Sequence, residues 1–245
     1  MFLFRLILLL SLATVGCKKA ANRTCIKSSG KSVHEVTYFE EINRISVSGD
    51  INIVIIQDGL NFIAIDSYEN IVNHVSIRFE NHELKIKNEN KCRFLRNYDK
   101  QTTLKIHVSN LNKIELYGKG KIETQNTIIN PSFHLYSHSS NSEINLAINT
   151  NNLTVEFVNG TINGQISGSS QEAYIFHSGY SNVNFIDLET DNLFVRNKSY
   201  SDTYVNASTM LSTKIENTGN IYYKGNPTLG NTTTLSSGKL LKYTE

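Results

Sequence analysis

The stretch LTVEFVNGTINGQI, residues 153–166, decides the fold of this chain. Two short runs of alternating apolar residues flank Asn159 and Gly160, and an Asn-Gly pair is a strong signal for a two-residue β-hairpin turn. The same pair can instead mark one corner of a longer repeating structure. A local hairpin needs no fixed register with segments farther along the chain, whereas the coils of a solenoid do.

A spacing of twenty residues runs through the second half of the sequence. It aligns two apolar columns and one column of small residues: Leu135, Val155, Ile175, Val195 and Ile215; Phe133, Leu153, Ala173, Leu193 and Thr213; and Ser139, Asn159, Gly179, Ser199 and Gly219. Such a period indicates one unit repeated along an axis, and the small residues suit corners with positive φ. We therefore predict an all-β fold, a right-handed parallel β-helix (β-solenoid) with coils of roughly 20 residues. The competing interpretation is a meander of antiparallel hairpins.

The first half of the chain is less regular but rich in alternating strands, among them RISVSGDINIVIIQ (44–57) and TLKIHVSN (103–110). We expect these strands to begin the same solenoid, with YENIVNHV (68–75) as a short irregular or helical connection. The polar residues 18–37 show no periodic signal and are predicted to form a tether. The ending SSGKLLKYTE (236–245) is predicted to be a last partial coil or a cap.

The N-terminus, MFLFRLILLLSLATVGCKKA, has an early Arg5, a short apolar core and small residues before a cysteine, the pattern of a signal segment. Within it, ATVGC (13–17) resembles a bacterial lipoprotein lipobox. The resemblance implies cleavage before Cys17, acylation of that residue and a stable membrane anchor. Lys18 in place of an acidic residue argues, by the same resemblance, against retention in the inner membrane. An ordinary signal peptide with an incidental cysteine, or an N-terminal membrane anchor, are the alternatives.

These features divide the chain into a lipoprotein signal peptide (1–16), a lipidated cysteine with its tether (17–37) and a β-solenoid domain (38–245). The predicted location is the outer membrane, on its periplasmic or cell-surface face. Two further cysteines, Cys25 and Cys92, can pair in an oxidising compartment or remain free thiols.

Composition and motifs argue against several classes of function. The formal net charge of +2 is too near neutral to favour nucleic-acid binding. The sequence has no HExxH, CxxC or GxSxG motif, so we predict no catalytic residues, no metal and no cofactor. Asp187, Glu189 and Asp191 lie close in sequence, but no second carboxylate stacks on them at the twenty-residue spacing, and we interpret them as surface charge. Arg196 and Glu216 share a column and are predicted to form an ion pair.

One predicted outer face is unusual because it is aromatic. Residues that alternate with the apolar columns point outward, and this outward set contains Tyr136, Tyr174, Phe176 and Phe194, with Arg196 beside them. Flat aromatic surfaces suit sugar rings or a protein partner, and arginine stacks on aromatic rings. The alternative is that the rings only stabilise the sheet by cross-strand packing, or are covered by the N-terminal segment.

Two stretches are similar to the family called putative auto-transporter adhesin, head GIN domain. They are EINRISVSGDINIVIIQDGLNFIAIDSYENIVNHVSIRFENHELKIKN (41–88) and IENTGNIYYKGNPTL (215–229). The resemblance covers roughly residues 40 to 240. It implies a β-solenoid on a secreted or membrane-anchored bacterial protein and supplies no catalytic residues.

The leading hypothesis is a non-enzymatic, lipid-anchored binding or structural module that presents long faces to a glycan or an envelope protein. Two alternatives are a β-helix carbohydrate-active enzyme, which needs paired carboxylates in a pocket, and a periplasmic envelope scaffold. The sequence does not assign an oligomeric state.

Overall fold

The computed structural model describes residues 28–90 and 101–244. The structure is 73% strand and 2% helix and forms a β-solenoid of about six turns, which confirms the predicted fold. Its elements are β1 (Ser32–Tyr38), β2 (Arg44–Asp50), β3 (Asn52–Gln57), β4 (Phe62–Tyr68), α1 (Glu69–Val72), β5 (Val75–Glu80), β6 (Glu83–Asn88), β7 (Thr103–Val108), β8 (Lys113–Thr124), β9 (Ile128–Gly160), β10 (Asn163–Gly179), β11 (Asn182–Ser199), β12 (Thr203–Ile215), β13 (Ile221–Lys224), β14 (Thr228–Thr234) and β15 (Leu240–Lys242).

The Asn-Gly pair is a corner of one coil and not a hairpin turn. Asn159 and Gly160 have φ angles of 56° and 103°, which fits the predicted corner with positive φ. The amide of Thr161 donates a hydrogen bond of 3.0 Å to the carbonyl oxygen of Ser140, on the coil below. The backbone groups at this turn therefore join neighbouring coils.

The predicted apolar columns are confirmed over the central coils. Parallel pairing aligns Ile175 with Val155 on one side and with Val195 on the other. At the last long strand the prediction is wrong by two residues, because Thr213 pairs with Val195 and Ile215 with Asn197. Two register shifts between β11 and β12 shorten that coil, as bulges do when one strand has extra residues.

The first coils do not stack in the order of the sequence. Ile45 on β2 pairs in parallel with Leu84 on β6 and with Ile114 on β8, while β3 pairs with both β7 and β8. The coil formed by β2 and β3 therefore lies between β8 and the coil formed by β6 and β7. The later segment of the chain is thus nearer to the N-terminal end of the solenoid axis. All these strands belong to the one sheet, as predicted, but their order follows from pairing over long separations.

Antiparallel strands close the N-terminal end. β4 pairs antiparallel with β7, β1 with β4, and β5 with β6. The predicted tether over 17–37 is therefore too long, because residues 32–37 belong to β1 and pair with β4. The alternation in SVHEVTY supplies a strand pattern that is too short to stand out from the polar sequence around it.

The predicted connection at 68–75 contains the helix α1, with Ile71 buried beneath it. No helix in the described part of the chain has the length and apolar character required to span a bilayer. Cys17, Cys25 and Cys92 lie outside the described residues, so the anchor and the disulfide stay predictions. The ending forms β15, which pairs in parallel with β13 as a last partial coil.

At some positions the backbones of neighbouring coils approach so closely that only glycine fits. Gly120 has a φ of +124°, and a Cβ at this position would lie 1.9 Å from the carbonyl oxygen of Ile51. A side chain is therefore excluded at Gly120. Inside the coils, stacked apolar side chains form one continuous core, with Phe133, Phe157 and Phe185 as its largest fully buried members.

Candidate binding surface

The candidate surface lies on the outer side of β10 and β11. Tyr174 and Phe176 alternate with the buried Ala173, Ile175 and His177, so strand geometry directs their rings outward. Pairing between the two strands then sets Tyr174 beside Phe194 and Phe176 beside Arg196. The structure thus places together four of the five residues predicted for the aromatic face: Tyr174, Phe176, Phe194 and Arg196. We call these four the aromatic patch.

The side chains of the aromatic patch contact one another. The ring centroids of Tyr174 and Phe194 are 5.7 Å apart with 30° between the planes, within the range of favourable aromatic pairs. The guanidinium carbon of Arg196 lies 5.1 Å from the ring centroid of Phe176, within cation–π distance. Phe194 is 39% exposed, and the other three side chains are half-buried. The patch is therefore a supported surface whose outer atoms remain accessible.

The predicted ion pair between Arg196 and Glu216 is confirmed, and it holds the guanidinium that lies over Phe176. Its Nε donates to Glu216 Oε2 at 2.7 Å and its Nη2 to Oε1 at 3.3 Å, while Lys214 Nζ lies 2.7 Å from the same carboxylate. The hydrogen bonds from Arg196 and Lys214 lower the pKa of Glu216 to about 2. Glu216 thus stays ionised and orients the guanidinium across Phe176.

Tyr136 does not join the patch, so the predicted five-residue face is corrected to four. Its ring contacts are with Tyr117 at 6.1 Å and His134 at 6.2 Å. The coil that carries Thr154 and Glu156 intervenes, since these two residues pair with β10 and His134 hydrogen-bonds Glu156 at 2.8 Å. Two coil spacings amount to roughly 10 Å, which separates Tyr136 from the rings on β10.

A second exposed aromatic pair was missed in the sequence. Tyr180 and Tyr200 stack with centroids 4.9 Å apart and 12° between the planes, and they are 64% and 55% exposed. They occupy the position directly after the small-residue corner on adjacent coils. Their spacing of twenty residues was a signal that could have found them.

A cavity of about 760 Å³ lies along the same corner near the N-terminal end, where Lys87, Tyr117, Lys119 and Asn141 are among its lining residues. Burial and a hydrogen bond to Glu115 raise the pKa of Tyr117 to about 12. The Tyr117 hydroxyl therefore stays protonated and presents a polar group at the edge of this cavity.

A second groove, of about 450 Å³, contains two of the three acidic residues noted in the sequence. Glu189 and Asp191 line it together with Asn149 and Ser169, and Ser208 Oγ donates to Asp191 at 3.0 Å. Both carboxylates are exposed. Within residues 28–90 and 101–244, no group of three or more His, Cys, Asp or Glu side chains is placed to hold a metal ion.

Comparisons with known proteins agree with this architecture. The family model for the putative auto-transporter adhesin, head GIN domain, matches residues 41–227. A putative adhesin from Bacteroides fragilis NCTC 9343 has 19% identity and a TM-score of 0.80 over 87% of this chain and 97% of its own. A putative adhesin from Parabacteroides distasonis ATCC 8503 has 17% identity and a TM-score of 0.62 over 89% and 99%.

A putative lipid binding protein from Parabacteroides distasonis ATCC 8503 has 14% identity and a TM-score of 0.54, over 89% of this chain and 98% of its own. At these identities the structures establish a common fold. A comparison with curated proteins finds no match.

Proposed function

Because this chain belongs to the putative auto-transporter adhesin, head GIN domain family, we propose that it is a non-enzymatic binding module of the bacterial cell envelope, held in the outer membrane by a lipid on Cys17. The family and the folds of its structural neighbours support an adhesin-like protein. The observation that carries the proposal at the residue level is the aromatic patch on the outer side of β10 and β11.

The ligand of the patch is a glycan in this proposal. Tyr174 and Phe194 offer adjoining ring faces 5.7 Å apart, and aromatic faces bind the apolar faces of sugar rings. Arg196, held by Glu216, adds hydrogen-bond donors for hydroxyl or acidic groups of the same ligand. Because the sheet holds these side chains, little conformational entropy is lost on binding. An envelope protein is the competing ligand.

Replacing Tyr174 and Phe176 with serine is expected to reduce glycan capture by tenfold or more, since loss of ring contacts worth about 1.4 kcal/mol already gives that factor. The assay is binding of the purified full chain to immobilised bacterial and host polysaccharides. The control variant, Tyr180→Ser with Tyr200→Ser, removes two exposed rings outside the patch and should bind normally.

Thermal unfolding of both double variants checks that the domain remains folded. Capture that is unchanged in Tyr174→Ser/Phe176→Ser would remove the patch from the proposal. Capture of envelope proteins and not polysaccharides would change the ligand class. New reducing ends in the polysaccharide, lost on Glu189→Gln, would instead favour a carbohydrate-active enzyme acting in the groove of Glu189 and Asp191.

The lipid anchor has a separate test. The Cys17→Ser variant is expected to leave the membrane fraction, and mass spectrometry of the wild type should find acyl groups on residue 17. Protease added to intact cells then reports the side of the membrane. Digestion without lysis supports an adhesin, whereas protection until the outer membrane is opened supports a periplasmic scaffold and contradicts a surface adhesin.

A further inference from the structure

We propose that the C-terminal end of the solenoid binds a second copy of this chain through antiparallel pairing of β14 with β14 of the partner. The interface goes beyond ligand binding at the aromatic patch. Three features of the molecule support this interface: the open edge of β14, the apolar residues beside it, and the charged character of the opposite end.

β14 is an open edge strand. It pairs with β12 on one side, and no described residue pairs with its other side. All seven residues from Thr228 to Thr234 are exposed. Their sequence, TLGNTTT, contains no charge and no proline, although proteins usually protect an edge strand with such residues. The free N–H and C=O groups of β14 therefore form an unblocked template for another strand.

Apolar side chains accompany this edge. Leu229 continues an inward-facing column in which Leu193 is 3% exposed and Leu211 is 0% exposed, yet Leu229 itself is 50% exposed. Met210 and Leu235, near the same end, are 45% and 64% exposed. Leu229 thus points in the direction of the core, and the described residues leave half of its surface uncovered. Burying such side chains in an interface removes apolar surface from water, which favours association.

The N-terminal end lacks these properties. There the outer strands β1 and β5 run antiparallel to their neighbours, and charged residues mark this end: His34 pairs with Asp66 at 2.7 Å, and Lys85 with Glu80 at 3.0 Å. Charged edges discourage strand addition. Joining the C-terminal end of one molecule to the N-terminal end of the next would place an uncharged strand against this charged end. Pairing of two C-terminal ends avoids that mismatch.

The sequence of β14 is compatible with a two-fold axis. A register shift between Leu229 and Thr232 interrupts β14, so its regular part is Thr232–Thr234. With the axis at Thr233, antiparallel pairing sets Thr232 opposite Thr234 and Thr233 opposite its counterpart. No like charges meet, and cross-strand threonine pairs are favourable. Symmetric two-fold dimers are the commonest protein oligomers. The β14 edges of two copies are thus compatible with each other in charge and in side-chain pairing.

The dimer would have a defined geometry. Ser28 lies at the opposite end of the solenoid, where its carbonyl oxygen accepts a hydrogen bond of 3.0 Å from Asn70 beside β1. An end-to-end dimer therefore directs the two N-terminal segments away from each other. If the anchor in the proposed function is correct, this arrangement suits two molecules held in facing membranes, that is, homotypic contact between cells.

The test is the molar mass of the full chain as a function of concentration, measured by size-exclusion chromatography with light scattering. The wild type is expected to reach twice the mass of one chain. Asn231→Lys, which adds a positive charge to this uncharged edge strand in both copies, should weaken dimerisation tenfold or more. The control Asn182→Lys adds the same charge at an exposed position on β11 and should dimerise normally.

Hydrogen exchange supplies a second readout, because the outer amides of β14 should become protected as dimer forms. A wild type that stays monomeric would overturn the proposal. So would an Asn231→Lys variant that still forms the dimer, provided that thermal unfolding shows the variant to be folded. Glycan capture does not enter this assay, so failure here and failure of the proposed function are distinguishable.

Discussion

Phe157→Ala is expected to lower the free energy of unfolding by about 3–5 kcal/mol, the range for removing a buried phenylalanine ring. Phe157 is fully buried, and its ring centroid lies 6.4 Å from that of Phe185 and 6.1 Å from that of His177. Truncation removes apolar contacts and leaves a cavity in a middle coil. Neighbouring coils above and below are held by backbone pairing and cannot easily close it.

Urea denaturation of the purified chain measures this change. Ile129→Ala is the control, because Ile129 is an apolar residue that is 66% exposed, and surface substitutions of this kind change stability by about 0.5 kcal/mol or less. An effect of Phe157→Ala as small as that of Ile129→Ala would contradict the stacking of residue 157 inside the solenoid.

The second large effect is a pH dependence that comes from His177. Burial lowers the pKa of His177 to about 4, below the value of about 6.5 for an unfolded chain. The imidazole is buried and its Nδ1 lies 2.9 Å from Thr203 Oγ1. Because the unfolded chain takes up the proton first as pH falls, the stabilisation is complete above pH 6.5 and is lost between pH 6.5 and 4. The expected loss is about 3 kcal/mol.

His177→Asn is the variant that isolates this contribution, since asparagine occupies the paired position on the next coil, at Asn197. The variant can be less stable at every pH, but its stability should fall less than that of the wild type between pH 7.5 and 4.5. His138→Asn, at an exposed histidine, should follow the wild type. Parallel pH profiles for the wild type and His177→Asn would show that residue 177 does not carry the effect.

The sequence by itself determined the repeat and the direction of most side chains within it. A coil places the same kind of residue at the same place in each turn, so a period of twenty residues reports the stacking of Val155, Ile175 and Val195 directly. Alternation along a strand then separates inward from outward positions, which is why Tyr174, Phe176, Phe194 and Arg196 could be assigned to one outer face.

Only the tertiary structure decided which strands are neighbours where the repeat is irregular. The pairing of Ile45 with both Leu84 and Ile114 joins segments that have no common spacing, and β1 is a strand because β4 offers it an edge. Tyr136 is separated from the patch by the coil of Thr154 and Glu156, a matter of coil order along the axis and not of residue type. Periodicity describes a single coil, whereas the closed N-terminal end and the open edge at β14 depend on which backbone groups remain unpaired after all coils have stacked.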